Sequence, residues 1–403
     1  MNIMKSLLTL ACLLCCTGIS AYDFEVDGIY YNILTGNDKA CEVTSSGDVN
    51  SYSGSIVIPA TVTHGNATYP VTAIGEYAFN GCSGLTNVTI PNSVTIIGTS
   101  AFYRCSGLKE ITIPGSVTSI GWAAFGNCAG LTSVTIPSSV KSIARGPFAL
   151  CNNLTEILVD KDNTEFTSYA GVLYNKNMSA ILEYPGGRTG SFDIPGSVTS
   201  IGEGAFFYCP GLTGITIPNT VTDISAWAFQ GCTGLTKVSI PNSVRNIGEQ
   251  AFSNCSNLES ITLPYSLTNI AEYMFYKCSS LTSITIPASV TNIEERTFEG
   301  CSAMTSLYSL AAIPPSVGDF YFTDAQYQTM NVYVPKGSLS AYQNAANWNK
   351  FFNLQEFDPT GIDAVNAEQN KDNTTYYDLQ GRMHRNPQPG LNIVNGKKVL
   401  IKK

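Results

Sequence analysis

Thirteen cysteines and only two histidines stand among the 403 residues, so reactive side-chain chemistry in this chain would have to be thiol chemistry. Nine of the cysteines keep time: Cys82, Cys105, Cys128, Cys151, Cys209, Cys232, Cys255, Cys278 and Cys301. Successive members lie 23 residues apart, except for one step of 58 between Cys151 and Cys209. A thiol can act as nucleophile, metal ligand or half of a disulfide. One cysteine per 23 residues offers no chelating pair, so no metal is expected. A disulfide needs an oxidising compartment and side chains that face each other. Equivalent side chains of stacked segments run parallel instead. The column is expected to be buried and unbonded, each thiol packing as a small hydrophobe; export of the chain would leave some pairing open.

The remaining chemistry-bearing residues offer less. His64 and His384 leave the long middle of the chain without any histidine, which removes most triads, acid–base pairs and zinc sites. Asp160, Asp162, Asn163 and Glu165 alternate as calcium ligands could, but the glycine and distal glutamate of an EF-hand loop are missing, and Asp and Asn also serve turns. Glu294, Glu295 and Glu299 cluster without a nucleophile. No Gly-rich phosphate loop, His-Glu-x-x-His or Gly-x-Ser-x-Gly is present. Neither catalysis nor a cofactor is expected. The formal net charge of −8 argues against a nucleic-acid partner. The longest apolar run, Leu7 to Cys16, is far short of the ~20 residues of a membrane span.

What must position the cysteines is a repeat. Each follows a phenylalanine by three residues: Phe79, Phe102, Phe125, Phe148, Phe206, Phe229, Phe252, Phe275 and Phe298. A segment such as Leu131-Thr-Ser-Val-Thr-Ile136-Pro137 recurs in the same register. In one coil, Leu108, Ile111 and Ile113 are expected on the inner face of a short strand that Pro114 ends, since proline has no N–H for a ladder. Val117 and Ile120 form a second apolar pair, Gly121 turns the chain, Ala124-Phe125 inserts from a helical or 3₁₀ turn, and Cys128 closes the coil. The inward side chains of one such coil cannot offset the ordering of its own backbone. Coils must therefore stack, giving a repeat solenoid of short parallel β-strands with irregular or 3₁₀ turns.

Outward positions on the main strand form the candidate binding face: Asn87 and Thr89, Glu110 and Thr112, Ser133 and Thr135, Thr216, Lys237 and Ser239, Thr262, and Thr285. Gly214, Ser260 and Ser283 belong to the same columns. This weakly charged hydroxyl ladder suits a protein or glycan, although threonine also simply favours strands. A second candidate is the aromatic set on the turn side, Tyr77, Trp122, Trp227 and Tyr273, with Tyr103, Phe207, Tyr208 and Tyr276, which could instead pack across neighbouring coils.

The periodic pattern resembles the leucine-rich repeats of the BspA-like bacterial surface proteins over residues 71–303. The resemblance extends to Tyr22–Tyr31 as an N-terminal hairpin and to a recurrent insertion around Gly171–Tyr174 and Tyr184–Gly187. It also reaches a closing cap with Tyr333–Gly337, Tyr342, Trp348 and Phe351-Phe352. It implies a non-catalytic protein at the cell surface that binds host extracellular-matrix proteins or bacterial surface proteins. A glycan-capture module and a structural surface protein without a specific ligand are the alternatives.

The two ends carry addresses. Lys5, the apolar stretch Ser6 to Cys16 and the small residues Thr17 to Ala21 read as an export signal cleaved after Ala21. Residues 371–403 carry seven Lys or Arg against Asp372 and Asp378, a net of +5, whereas residues 22–370 carry 14 basic and 28 acidic residues, a net of −14. Tyr376-Tyr-Asp-Leu-x-Gly-Arg382 and Gly390-Leu-x-Ile-Val-x-Gly-Lys-Lys-Val399 resemble the C-terminal sorting modules of exported proteins of Gram-negative anaerobes. The expected organisation is a signal peptide at 1–21, a β cap at 22–70 and a solenoid at 71–303 with an irregular insertion at 152–196. An α/β cap at 304–358, a linker at 359–375 and a small sorting-like β module at 376–403 complete it. Secretion or display at the cell surface is the expected location.

Overall fold

The computed structural model describes residues 22–35, 39–48 and 50–358, and the backbone of four short strands between 376 and 401. The expected signal peptide and linker lie outside the described residues. The chain divides into two compact units, Met1–Cys151 with Asp160–Thr164, and Asn152–Val159 with Glu165–Lys403.

Each unit is a β-solenoid of coils carrying one longer and one two-residue strand. In the first unit the cap is antiparallel: Phe24–Val26 pairs with Ile29–Ile33, which pairs with Cys41–Thr44. Cys41–Thr44 then runs parallel to Ala67–Ile74, and the ladder continues in parallel through Ile96–Ile97, Ser119–Ile120 and Ser142–Ile143. In the second unit the insertion forms an antiparallel meander, Phe166–Tyr169, Val172–Asn175 and Ala180–Glu183, whose last strand starts a parallel ladder through Ser200–Ile201, Asp223–Ile224 and Asn246–Ile247. The longer strands pair in parallel too, ending in Ser283–Ile286, Ser306–Ser309, Asn331–Pro335 and Asn353–Phe357. The closing cap adds the helices Asp324–Thr329 and Leu339–Asn344 and a 3₁₀ turn at Trp348–Lys350. There Trp348 is fully buried, with its Nε1 donating to Pro315 O at 2.9 Å. The strands Tyr376–Tyr377, Met383–His384, Gly390–Val394 and Lys397–Ile401 form an antiparallel sheet.

The phenylalanines form the expected interior columns. In the first unit Tyr52, Phe79, Phe102, Phe125 and Phe148 follow one another at 4.6, 4.9, 5.2 and 5.5 Å between ring centroids. In the second, Tyr184 heads Phe206, Phe229, Phe252, Phe275 and Phe298. The first-unit spacings are close to the ~4.8 Å between hydrogen-bonded strands, so the strand ladder sets the ring pitch there, and in the second unit the rings spread from 4.9 to 6.1 Å. All nine repeat phenylalanines are buried.

The cysteines have a job that their burial alone does not explain. Seven of the thiols donate to the carbonyl of the phenylalanine one coil back, among them Cys105 to Phe79 O at 3.0 Å, Cys128 to Phe102 O at 3.0 Å, Cys232 to Phe206 O at 3.0 Å and Cys255 to Phe229 O at 3.1 Å, while Cys209 meets Tyr184 O at 3.7 Å. All ten described cysteines are buried and free. A thiol is small enough for the core and still supplies a donor to a buried carbonyl, which a methyl group cannot.

Two sequence expectations need correction. The turn around each phenylalanine is neither helical nor 3₁₀. It is irregular and carries two left-handed residues, two before and two after the ring: Tyr77 and Gly81 (φ 58° and 77°), Ser100 and Arg104 (51° and 63°), Trp227 and Gly231 (55° and 73°), Tyr273 and Lys277 (54° and 57°). Alternating handedness turns every second N–H the same way. Tyr77 N, Phe79 N and Gly81 N thus donate to Thr99 O, Ala101 O and Tyr103 O of the next coil, at 3.0, 2.7 and 2.7 Å. A 3₁₀ turn would close those bonds on itself. Second, residues 107–114 contain no strand, although Leu108, Ile111 and Ile113 are buried as expected. A cleft of about 280 Å³ separates this segment from Asn87–Ile90. Side-chain burial holds the coil in place where the backbone ladder is interrupted.

Truncating Phe252 to alanine should cost ~3–5 kcal/mol by denaturant unfolding, as large aromatic core truncations do; an unchanged midpoint would contradict its place in the column. The thiols predict a pH dependence. Burial pushes Cys232 and Cys301 up to about 12 and holds Cys255 well above the ordinary 9.0. The folded state therefore keeps protons that the unfolded chain gives up. Stability should be complete below pH 9.0 and fall as the pH rises beyond it, measured by urea unfolding across an alkaline pH series.

Candidate functional site

The outward strand positions are placed as their alternation requires. In the first unit Asn87 and Thr89 stand on the strand Leu85–Thr89, Ser133 and Thr135 on Ser133–Ile136, and Glu110 and Thr112 on the unpaired segment between them; all six are exposed. In the second unit Thr216, Lys237, Ser239 and Thr262 are exposed and Thr285 is half-buried. Their register is parallel and direct: Asp193 opposite Thr216, Lys237 opposite Ser260, Ser239 opposite Thr262. Within each unit they form columns one coil apart.

Hydroxyls elsewhere in the repeat behave differently. Two residues after most strand-ending prolines stands a Ser or Thr whose hydroxyl reaches back one coil: Ser116 to Val94 O, Ser139 to Val117 O, Thr220 to Val198 O, Ser266 to Val244 O and Ser289 to Leu267 O, all at 2.6–2.7 Å; Ser93 and Ser243 occupy the same position with buried hydroxyls that make no such bond. On the short-strand side Thr118 donates to Thr95 O at 3.1 Å and Thr291 to Thr268 O at 3.3 Å. A polar ladder runs beside them. Asn246 donates to Asp223 at 2.8 Å and Asn292 to Asn269 at 2.8 Å. Hydrogen bonds from Thr222 and Asn246 hold the Asp223 carboxyl below its ordinary value. The strand-face columns make no such bonds. Of the eleven positions, only Asn87 has a described side-chain hydrogen bond, to Ser55 Oγ at 3.3 Å.

The turn-side aromatics are largely occupied with their neighbours. Arg145 lies over Trp122 at 5.9 Å, Arg104 over Tyr103 at 5.4 Å, Lys277 over Tyr276 at 5.0 Å and Arg296 over Tyr273 at 5.9 Å. Tyr273 meets Tyr276 edge-on at 5.4 Å and Phe207 meets Tyr208 edge-on at 4.7 Å. The Arg145–Trp122 and Arg296–Tyr273 contacts join successive coils, and the others lie within one turn.

One part of the strand face is missed by the repeat pattern. Tyr308 stacks on Tyr333 at 4.6 Å with 9° between planes, and Phe357 stands edge-on to both. Both tyrosines are half-buried on strands continuous with Ser283–Ile286. Tyr308 lies opposite Thr285 and extends its column into the closing cap. Counting one more period of 23 from Thr285 would have found it.

The acidic segment at Asp160 is a turn. Asp160 Oδ1 accepts from Asp162 N at 2.9 Å, and buried Asn163 donates to Pro137 O and Val140 O at 2.8 and 3.0 Å. The asparagine thus props the backbone instead of offering a ligand. Among the described residues no three His, Cys, Asp or Glu gather to hold a metal, and no helix is long and apolar enough to cross a membrane. His64 stacks on Phe24 at 4.6 Å in the cap.

Comparison with known proteins agrees with this architecture. The profile of the BspA type leucine-rich repeat region matches residues 62–181 and 186–305, in six copies. No curated protein matches the chain. A leucine-rich repeat protein from Eubacterium ventriosum ATCC 27560 is similar in structure, with 26% identity and a TM-score of 0.58, over 74% of this chain and 87% of that one. The pneumococcal vaccine antigen PcpA is similar at 18% identity and a TM-score of 0.53, over 84% of this chain and 99% of that one, a likeness of fold alone.

The contrast between tied and untied hydroxyls gives a stability test. Ser266→Ala removes a bond to the backbone and should cost about 0.5–1.5 kcal/mol. Thr262→Val, on the strand face, should stay within about 0.5 kcal/mol of the parent. Equal costs in chemical denaturation would erase the distinction.

Proposed function

The chain belongs to the BspA-type leucine-rich repeat family, and on that premise we propose that it is a non-catalytic binding protein of the cell surface. Its strand face takes the partner, a host extracellular-matrix protein or a surface protein of another bacterium. The observation that carries this reading is the exposed strand hydroxyls without partners. On the proline-turn side, by contrast, five hydroxyls are tied to the backbone of the preceding coil, and those of Ser93 and Ser243 are buried away from any partner. Polar groups that hold nothing in the fold can exchange water for a partner at little structural cost. A column repeated at the coil pitch offers many shallow contacts, each weak, whose sum gives affinity. The half-buried Tyr308–Tyr333 pair supplies an aromatic anchor of the kind that dominates interface energetics. The signal-like N-terminus and sorting-like C-terminus support export to the surface.

Binding of the full-length chain to a panel of immobilised host matrix proteins and to intact bacterial cells tests the proposal. The parent should bind at least one of them saturably. Thr135→Arg with Thr216→Arg should weaken that binding at least about tenfold while leaving the melting temperature in place. Undiminished binding by the double variant would move the partner off the strand face, and absence of saturable binding to every surface would reject the adhesive role.

A further inference from the structure

The insertion coil of the second unit carries a cleft that the repeat does not explain. It measures about 340 Å³, at the lower end of small-ligand sites, and is lined by Thr155, Glu156, Ala170, Gly187, Arg188 and Thr189. Arg188 Nη1 donates to Ala170 O, and its guanidinium lies 5.4 Å from the ring of Tyr184. The cation is therefore held to one wall by the backbone and by an aromatic face. Glu156 is exposed on the strand Glu156–Val159. Gly171, at φ 76°, separates the two: a Cβ there would stand 3.4 Å from both Arg188 Nη1 and Glu156 Cγ. A side chain at that position would fill the space between carboxylate and guanidinium. On the strand Val172–Asn175 of the same insertion, the hydroxyl of fully buried Tyr174 has no hydrogen-bond partner.

We propose that this cleft binds one or two residues of a neutral carbohydrate. The lining mixes an acceptor-only carboxylate, a donor-only guanidinium with more N–H groups than its bond to Ala170 uses, and threonine hydroxyls that do both. Adjacent hydroxyls of a pyranose donate to the carboxylate and accept from the guanidinium at the same time. The opposed charges set the selectivity. Glu156 repels phosphates and carboxylates, and Arg188 repels cations, so a ligand with many hydroxyls and no charge fits both walls. The exposed Tyr169, next to Ala170, offers a ring face or edge at the rim. The site is separate from the strand-face proposal and does not depend on it.

Saturation-transfer NMR and calorimetry of the full chain with methyl glycosides of glucose, galactose, mannose, fucose and N-acetylglucosamine test the site. At least one glycoside should bind saturably. Glu156→Gln, which keeps the shape and loses the charge, should weaken binding about tenfold. Thr189→Val should weaken it several-fold. Both variants should unfold at the parent midpoint, because their side chains are exposed. The Thr135→Arg, Thr216→Arg double variant should bind the sugar like the parent, which separates this site from the strand face. No saturation with any glycoside, full affinity in the Glu156→Gln, Thr189→Val double variant, or preference for a methyl sialoside over every neutral sugar would each overturn the proposal.

Discussion

A coil of 23 residues cannot satisfy its own backbone. Its strands are too short to pair within the coil, and its turn directs Tyr77 N, Phe79 N and Gly81 N away from it, so the donors and acceptors must be met by the next coil along. Every periodic feature answers that need. The strands pair in parallel and in register, the left-handed residues aim N–H groups along the stack, and the cysteine and serine side chains meet carbonyls of the preceding coil. The phenylalanine column fills the interior at the pitch those bonds impose. The first unit opens with an antiparallel β cap, and the second buries Trp348 and Tyr342 in its closing cap.

The same constraint decides which surface is left for recognition. Most hydroxyls on the proline-turn and short-strand sides are committed to carbonyls, and many of the turn-side rings contact arginines, lysines and each other. The longer strands pair laterally in separate short sheets, such as Gly190–Asp193 with Leu212–Thr216 and Lys237–Ser239 with Ser260–Thr262, while most of the outward hydroxyls make no described hydrogen bond. Binding to that side leaves the inter-coil bonds in place. The insertion departs from this pattern. Its antiparallel meander brings Glu156 and Arg188 to the walls of one cleft, an arrangement that a uniform stack of identical coils does not produce.

Much of the fold could be read from residue spacing. The Phe-x-x-Cys register located both interior columns, and the Leu-x-x-Ile-x-Ile pattern placed the outward strand residues on the exposed side. The rest was hidden for identifiable reasons. Gly81, Asn127, Gly231, Asn254 and Gly300 mark the left-handed position after phenylalanine, but Leu150, Tyr208 and Lys277 occupy the same conformation and mask the signal. Such residues adopt it at a cost of about 1–2 kcal/mol, which the inter-coil bonds offset. The interruption at residues 107–114 left no trace in a segment whose apolar spacing is the same as its neighbours'. Tyr308 was obscured because the last repeat lacks the Phe-x-x-Cys marker and so reads as part of the cap. The thiols looked like simple core filler, since sequence shows burial but not the carbonyl each one meets.

The inter-coil side-chain bonds of the regular repeats share one further property: they span about one period, from Ser266 reaching back to Val244 to Cys255 reaching back to Phe229. No regular coil therefore depends on its ordinal position. Duplication or loss of a 23-residue segment inside the regular array would present each remaining coil with the same neighbours as before, and the interior columns would close without a defect. Genomic slippage can thus change the number of coils in whole steps, adjusting reach while leaving the packing problem unchanged.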